Sequence, residues 1–251
     1  MGLLGIIGGS GSGHLTSRED PSCGAPAETP YGLASAAVRR LLIGGQEALF
    51  LPRHGVGHAI PPHLVNYRAN LWALKAAGVE RVVALAAVGG ITPSFGPRRF
   101  SVPHQLIDYT YRRDHSFHNG GESGVVHVDF TEPYCPTLRA ELLAACLVAG
   151  TSAADQAVYG ATQGPRLETA AEILRLERDG CDLVGMTGMP EAVLAKELDL
   201  CYASLAFVVN WAAGKGQGPI RMDEVEGHLA HCMEQVEAIL DALLRQRPLA
   251  P

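Results

Sequence analysis

No apolar run in this 251-residue sequence is long enough to cross a membrane. Its richest stretches, 81–91, 140–149 and 201–209, fall short of the roughly 18 residues that a span requires. A secretory leader is not evident either: no basic segment precedes Leu3-Leu4-Gly5-Ile6-Ile7, and glycine follows at once. Basic residues are in deficit, 20 Lys+Arg against 26 Asp+Glu, for a formal charge of −6. Such a chain has no general field to draw in nucleic acid or an anionic membrane. No two of the six cysteines (Cys23, Cys135, Cys146, Cys181, Cys201 and Cys232) have CxxC spacing, which excludes zinc-ribbon and thioredoxin-type motifs. Apolar settings such as Ala145-Cys146-Leu147 and Leu200-Cys201-Tyr202 predict buried, reduced thiols. Repeats, low-complexity tracts and linkers are absent too. The expectation is one cytoplasmic globular domain over 1–251, with no nucleic-acid or membrane partner.

What is present is a core-forming composition: 47% of residues are hydrophobic and 18% charged, enough to bury a large core at this length. Short apolar runs alternate with helical patterns, the signature of an α/β fold. Strands are predicted over 3–7, 81–87, 157–161, 182–185 and 202–209, and a hairpin over 38–51 turning at Gly44-Gly45. Helices are predicted over 61–77, 138–149, 168–178, 190–198 and 223–244, several of them stopped by glycine. The glycine-rich 211–221 reads as a mobile loop and 246–251 as a tail.

Gly8-Gly9-Ser10-Gly11-Ser12-Gly13 follows the first strand. It is not a dinucleotide fingerprint, because position 14 is His where Gly is required, and no Lys-Ser/Thr completes a Walker loop. Two readings remain: a tight turn, or a loop whose backbone N–H groups and Ser10 hydroxyl approach an anion. Arg53-His54-Gly55-Val56-Gly57-His58 ends another apolar run, where open α/β sheets place ligand groups. Arg53 offers a planar fork for phosphate oxygens, and His54 or His58 adds a donor. A metal pair at His54/His58 is disfavoured, because Gly55 and Gly57 oppose a helix there. A third set of exposed backbone groups is expected at Ala86-Ala87-Val88-Gly89-Gly90.

These segments, together with Val65-Asn66-Tyr67-Arg68-Ala69-Asn70-Leu71-Trp72, Gly164-Pro165-Arg166-Leu167-Glu168-Thr169, Gly185-Met186-Thr187 and Pro190-Glu191-Ala192-Val193, resemble the methylthioadenosine and purine nucleoside phosphorylase family. The matches run in family order through nearly the whole chain. The resemblance implies a single α/β domain with a mixed central sheet flanked by helices. It also implies a homotrimer, and phosphorolysis of a purine nucleoside with inorganic phosphate as co-substrate and no metal or organic cofactor. By that match Ser10, Arg53, His54, Thr187 and the backbone at Ala87 hold phosphate. Ala86, Gly89, Leu167, Met186 and Met222 contact the nucleoside, and His127 is lent by a neighbouring subunit. Two positions depart from the pattern: Ala86 replaces a residue with a polar side chain, and Pro97-Arg98-Arg99 replaces a Pro-Gly-Asp turn.

Asn210 and Glu168 fall, by the same resemblance, where the family meets the purine edge as catalytic residues. An amide donates to a 6-oxygen and accepts from a protonated N7 at once, and a carboxylate accepts from N1–H. Asn210 as a strand cap and Glu168 as a helix-terminal charge are the plain structural alternatives. Apolar Met222 at the expected 5′ end completes the expectation of a 6-oxopurine 5′-methylthio nucleoside. A methylthioadenosine or a general inosine/guanosine phosphorylase is the alternative, with a non-catalytic purine-binding protein more remote.

Overall fold

The alternating pattern assembles into a mixed sheet of ten strands with helices against both faces. The computed structural model describes residues 2–15, 25–118, 120–121 and 124–246; Cys23 and positions 247–251 of the expected tail lie outside the described residues. Strand β1 (Leu3–Gly8) precedes a separate small hairpin, β2 (Glu28–Thr29) with β3 (Gly32–Leu33), and then β4 (Arg39–Ile43) and β5 (Gln46–Pro52). Helix α1 (Tyr67–Ala76) leads into β6 (Val79–Gly90), β7 (Phe100–Ser101), β8 (Gln105–Asp108) and helix α2 (Pro136–Val148). The chain continues through β9 (Ala153–Ala154), β10 (Val158–Ala161), α3 (Ala170–Arg178), β11 (Leu183–Gly185), α4 (Gly188–Glu197), β12 (Cys201–Trp211) and α5 (Met222–Arg245).

The main path of the sheet is β4-β5-β1-β6-β11-β10-β8, and β12 lies beside β6 with β7 and β9 beyond it. The expected hairpin is β4–β5, whose Gly44 and Gly45 both take positive φ, as a tight two-residue turn demands. Side-chain alternation sorts the core into two layers. Ile6 packs with Phe50, Leu85 and Leu205 beneath α2 and α5, while its neighbour Ile7 joins Leu51, Leu71 and Leu74 beneath α1 and α4. Among the described residues no helix is long and apolar enough to cross a membrane.

Several boundaries differ from expectation for local reasons. Helix α1 begins at Tyr67 because Asn66 caps it, accepting from the Ala69 N–H at 3.1 Å; Pro62–Leu64 forms only a 3-10 turn. Helix α3 begins at Ala170, not at Glu168, because Thr169 and Glu172 form a reciprocal capping box. Glu168 is thereby left outside the helix. Strand β6 runs on to Gly90, since β12 pairs with it along most of its length. Cys135 and Cys201, expected as thiols, form a disulfide with Cα atoms 5.1 Å apart. A backbone bond from Cys135 N–H to Tyr202 O brings the two segments together across 66 residues, a separation no local pattern reveals. Cys146, Cys181 and Cys232 are free and buried, as expected.

Strand β6 can reach the cavity only because the chain turns back tightly over Gly90. A Cβ on Gly90 would sit 1.7 Å from the Phe95 carbonyl oxygen. Gly90→Ala is therefore expected to lower stability by about 1–3 kcal/mol in urea unfolding; a change below about 0.5 kcal/mol would contradict this packing.

Candidate active site

Strand β1 pairs with β6 only as far as Ile7 opposite Ala84, while β6 continues to Gly90 and meets β11 at Gly89 and Gly90. The divergence opens a cavity of about 300 Å³ at the carboxyl ends of β1, β5, β6 and β12, the usual ligand position of an open α/β sheet.

Arg53, one residue past β5, fills the floor and is 1% exposed. Its Nε and Nη2 donate to the two carboxylate oxygens of Glu191 at 2.7 and 2.9 Å, and its Nη1 donates to Leu85 O at 3.0 Å. Tyr202 Oη adds a bond to Glu191 Oε1 at 2.9 Å. Burial alone would lower the pKa of Arg53, but the Glu191 carboxylate outweighs it and the guanidinium stays fully charged. Three of its five N–H groups are used in these bonds, leaving one on each terminal nitrogen beside the cavity. Gly9 lies directly over it: a Cβ there would be 2.9 Å from both Arg53 Nη1 and Leu85 O.

His54 is buried beside this cation. Burial first, and Arg53 second, push its pKa down to about 4, so the ring is neutral at pH 7. Ile60 O lies 2.8 Å from Nδ1 and only accepts, so Nδ1 carries the proton and Nε2 is left with a lone pair. His54 is therefore an acceptor at its free nitrogen, not the donor anticipated from sequence. His58 packs against it with ring centroids 4.3 Å apart. Among the described residues no group of three His, Cys, Asp or Glu is arranged to hold a metal ion.

Across the cavity, Glu168 accepts from Thr162 Oγ1 at 2.6 Å through Oε1. Asn210 follows a bulge in β12: Val208 pairs with Val88 and Asn210 with Gly89, so Val209 is an extra residue. Its Nδ2 donates to Trp211 O at 2.7 Å, which fixes which end of the amide is which. Gly89 permits this approach, since a Cβ there would lie 3.1 Å from Val184 and 3.4 Å from Asn210 Nδ2.

The structure brings Ser10, Arg53, His54, Ala86, Ala87, Gly89, Leu167, Glu168, Met186, Thr187 and Asn210 around this one cavity. Met222 does not join them. It is the first residue of α5 and 61% exposed, and the apolar wall is made instead by Ile220, Val225 and Leu229. Met222 shares a helical face with Val225 and Leu229 (i, i+3, i+7), but as the first residue of α5 it stays exposed beyond that wall. His127 is exposed and outside its own chain's cavity.

Residues 3–245 match the Phosphorylase superfamily. A protein of Pseudomonas syringae pv. tomato named "Probable S-methyl-5'-thioinosine phosphorylase" is 52% identical, over 97% of this chain and 99% of its own. The 6-oxopurine nucleoside phosphorylase of Pyrococcus furiosus is 42% identical, over 100% of this chain and 94% of its own. The chain belongs to the phosphorylase superfamily. Among solved structures, methylthioadenosine phosphorylase from Schistosoma mansoni in complex with adenine aligns with a TM-score of 0.90 at 30% identity, covering 97% of this chain and 91% of that one.

Two residues of this phosphorylase superfamily member escaped the sequence reading. Glu191 lies within a quoted motif, but only its burial reveals it as the partner of Arg53; an acid among apolar residues in a first helical turn was the available signal. Arg113 carried no signal. Its Nη1 donates to Met186 O (2.8 Å) and Met189 O (2.6 Å), its Nη2 to Gln163 O (2.7 Å), so one guanidinium ties two walls of the cavity together.

Glu191→Ala leaves Arg53 buried without its counter-charge and is expected to cost about 3–5 kcal/mol in urea unfolding; a loss under about 1 kcal/mol would contradict the pairing. The unfolded chain binds a proton at His54 near pH 6.5 and the folded chain only near pH 4, so stability falls as pH drops through that window. His54→Asn is expected to remove roughly 3 kcal/mol of that acid-side loss. Identical stability-versus-pH curves for the two proteins would contradict a neutral, buried His54.

Proposed function

We propose that this chain catalyses reversible phosphorolysis of S-methyl-5'-thioinosine, giving hypoxanthine and S-methyl-5-thio-α-D-ribose 1-phosphate in purine salvage. The observation that carries the reading is the orientation of the Asn210 amide opposite Glu168. Trp211 O accepts from Nδ2; turning the amide over would set two carbonyl oxygens against each other. The amide thus offers its second N–H to a 6-oxygen and Oδ1 to N7–H, while the free oxygen of Glu168 accepts from N1–H. A 6-aminopurine would meet a donor where it has donors and a carboxylate where it has a lone pair. The names of the relatives from P. syringae and P. furiosus support the same base class. The apolar wall of Ile220, Val225 and Leu229 supports a methylthio group over a 5′-hydroxyl.

Phosphate is held by Ser10, the two free N–H groups of Arg53, Thr187 and the backbone at Ala87. His54 Nε2 accepts from a phosphate hydroxyl. The C1′–N9 bond breaks with its electron pair leaving on the purine, and a phosphate oxygen bonds to C1′ from the opposite face. The oxocarbenium-like sugar between them lies over Met186 and is stabilised by the phosphate charge. A proton from solvent taken up at N7 neutralises the departing base, and Asn210 Oδ1 accepts from that N7–H. Placing phosphate and sugar in one rigid cavity supplies much of the acceleration. On this reading the enzyme is one phosphorylase domain over 1–251, cytoplasmic, and needs no metal or organic cofactor. Its active unit is a homotrimer in which His127 serves a neighbour's site.

Phosphorolysis of methylthioinosine, methylthioadenosine, inosine and adenosine tests the reading. Methylthioinosine is expected to exceed methylthioadenosine in kcat/KM by about 100-fold or more, as for a site that pairs buried polar groups with its substrate. Asn210→Asp is expected to shift preference toward the 6-amino nucleosides. Faster turnover of methylthioadenosine by the unmodified protein would overturn the base assignment. Equal efficiency with inosine would make the chain a general 6-oxopurine nucleoside phosphorylase.

A further inference from the structure

The aim of Asn210 depends on the bulge in front of it. Between Val208, opposite Val88, and Asn210, opposite Gly89, strand β12 carries one residue more than β6. A bulge of this kind re-aims the side chains that follow it and leaves the extra residue outside the ladder. The carbonyl of the extra residue, Val209, accepts a hydrogen bond from His228 Nδ1 at 2.8 Å. His228 is half-buried on α5, three residues after Val225 and one before Leu229, the two residues of that helix on the cavity wall. One helix therefore presents an apolar wall to the cavity and grips the backbone that aims the base-reading amide.

We infer that His228 is a positioning residue for base specificity: through Val209 O it holds the bulge at the angle that gives Asn210 its reach to the purine edge. The inference rests on the reading of Asn210 given under the proposed function. His228 touches no substrate atom on this account. Its loss lets the bulge relax into the regular register, which turns the Asn210 side chain away from the cavity, because a one-residue shift in a strand reverses its faces. The phosphate loops are on β1, β5 and β6 and do not share this bond.

The test uses three variants of the full chain, His228→Ala, His228→Asn and His228→Gln. Asn places its amide nitrogen two bonds beyond Cβ, where His carries Nδ1, and Gln places its nitrogen one bond farther. Each is assayed for kcat/KM with methylthioinosine and with methylthioadenosine, and for the KM of phosphate. His228→Ala is expected to lower the oxo/amino ratio by about tenfold or more, with the phosphate KM within about twofold of the unmodified protein. His228→Asn is expected to recover the ratio to within about threefold and His228→Gln to leave it low. An unchanged ratio in His228→Ala, a joint rise in the phosphate KM, or equal recovery by Asn and Gln would overturn the inference. Asn210→Ala in the same series separates the two layers. If it loses discrimination and His228→Ala does not, only the role of His228 fails. If it keeps discrimination, the reading of Asn210 fails and the inference with it.

Discussion

Arg53 and Glu191 form a bidentate ion pair at the bottom of the cavity, almost wholly removed from water. Taking both charges out of solvent is expensive, and the pair persists because both carboxylate oxygens are bonded, with Tyr202 adding to the acid, and three of the five guanidinium N–H groups are bonded, one of them to Leu85 O. Its consequence is geometric. One partner follows β5 and the other sits in the first turn of α4, so the bond fixes the end of a strand against the start of a helix. A cation tethered in this way has little rotational freedom, and the N–H groups it keeps point where the fold sends them. On the proposed reading, that is how a chain of net charge −6 holds an anion without a basic surface.

The rest of the site follows from β6 outrunning β1. Past Ala84 the strand has lost its neighbour on one side, and Arg53 takes the Leu85 carbonyl that a longer β1 would have used. Burial, and after it the neighbouring Arg53 charge, keeps His54 uncharged. On the far wall, Arg113 does for two loops what Glu191 does for Arg53, gathering carbonyls from 163, 186 and 189 around one planar cation. The segments that follow β10 and β11 are loops by secondary structure, yet they are braced by charge at their backs. On the proposed reading, rigid placement of phosphate and base lets a small cavity act on both ends of one glycosidic bond.

Much of this was legible in the residues themselves. Short continuous apolar runs marked β1, β6 and β12, glycine stops marked α1, α2 and α3, and Gly44-Gly45 marked the hairpin. The family resemblance assembled Ser10, Arg53, His54, Glu168 and Asn210 from distant segments, and the fold gathers them at one cavity. What escaped was set by tertiary partners. Glu191 is an ordinary helical acid until its burial is known, Arg113 one basic residue in an irregular stretch, and the Cys135–Cys201 bond joins positions with no local relation. Met222 is in phase with Val225 and Leu229, and what leaves it exposed is its position as the first residue of α5, which only the fold sets. The strands β7 and β9, two residues each, are too short to carry a periodic signal.

The central claim is that a fixed Asn210 amide and Glu168 read a 6-oxopurine opposite a phosphate held by Arg53. A crystal structure with hypoxanthine and phosphate bound together tests it most directly. The account predicts the base O6 within hydrogen-bond distance of Asn210 Nδ2, N1–H on Glu168, and phosphate oxygens on the terminal nitrogens of Arg53. A base edge turned away from Asn210 and Glu168, or phosphate seated away from Arg53, would contradict it.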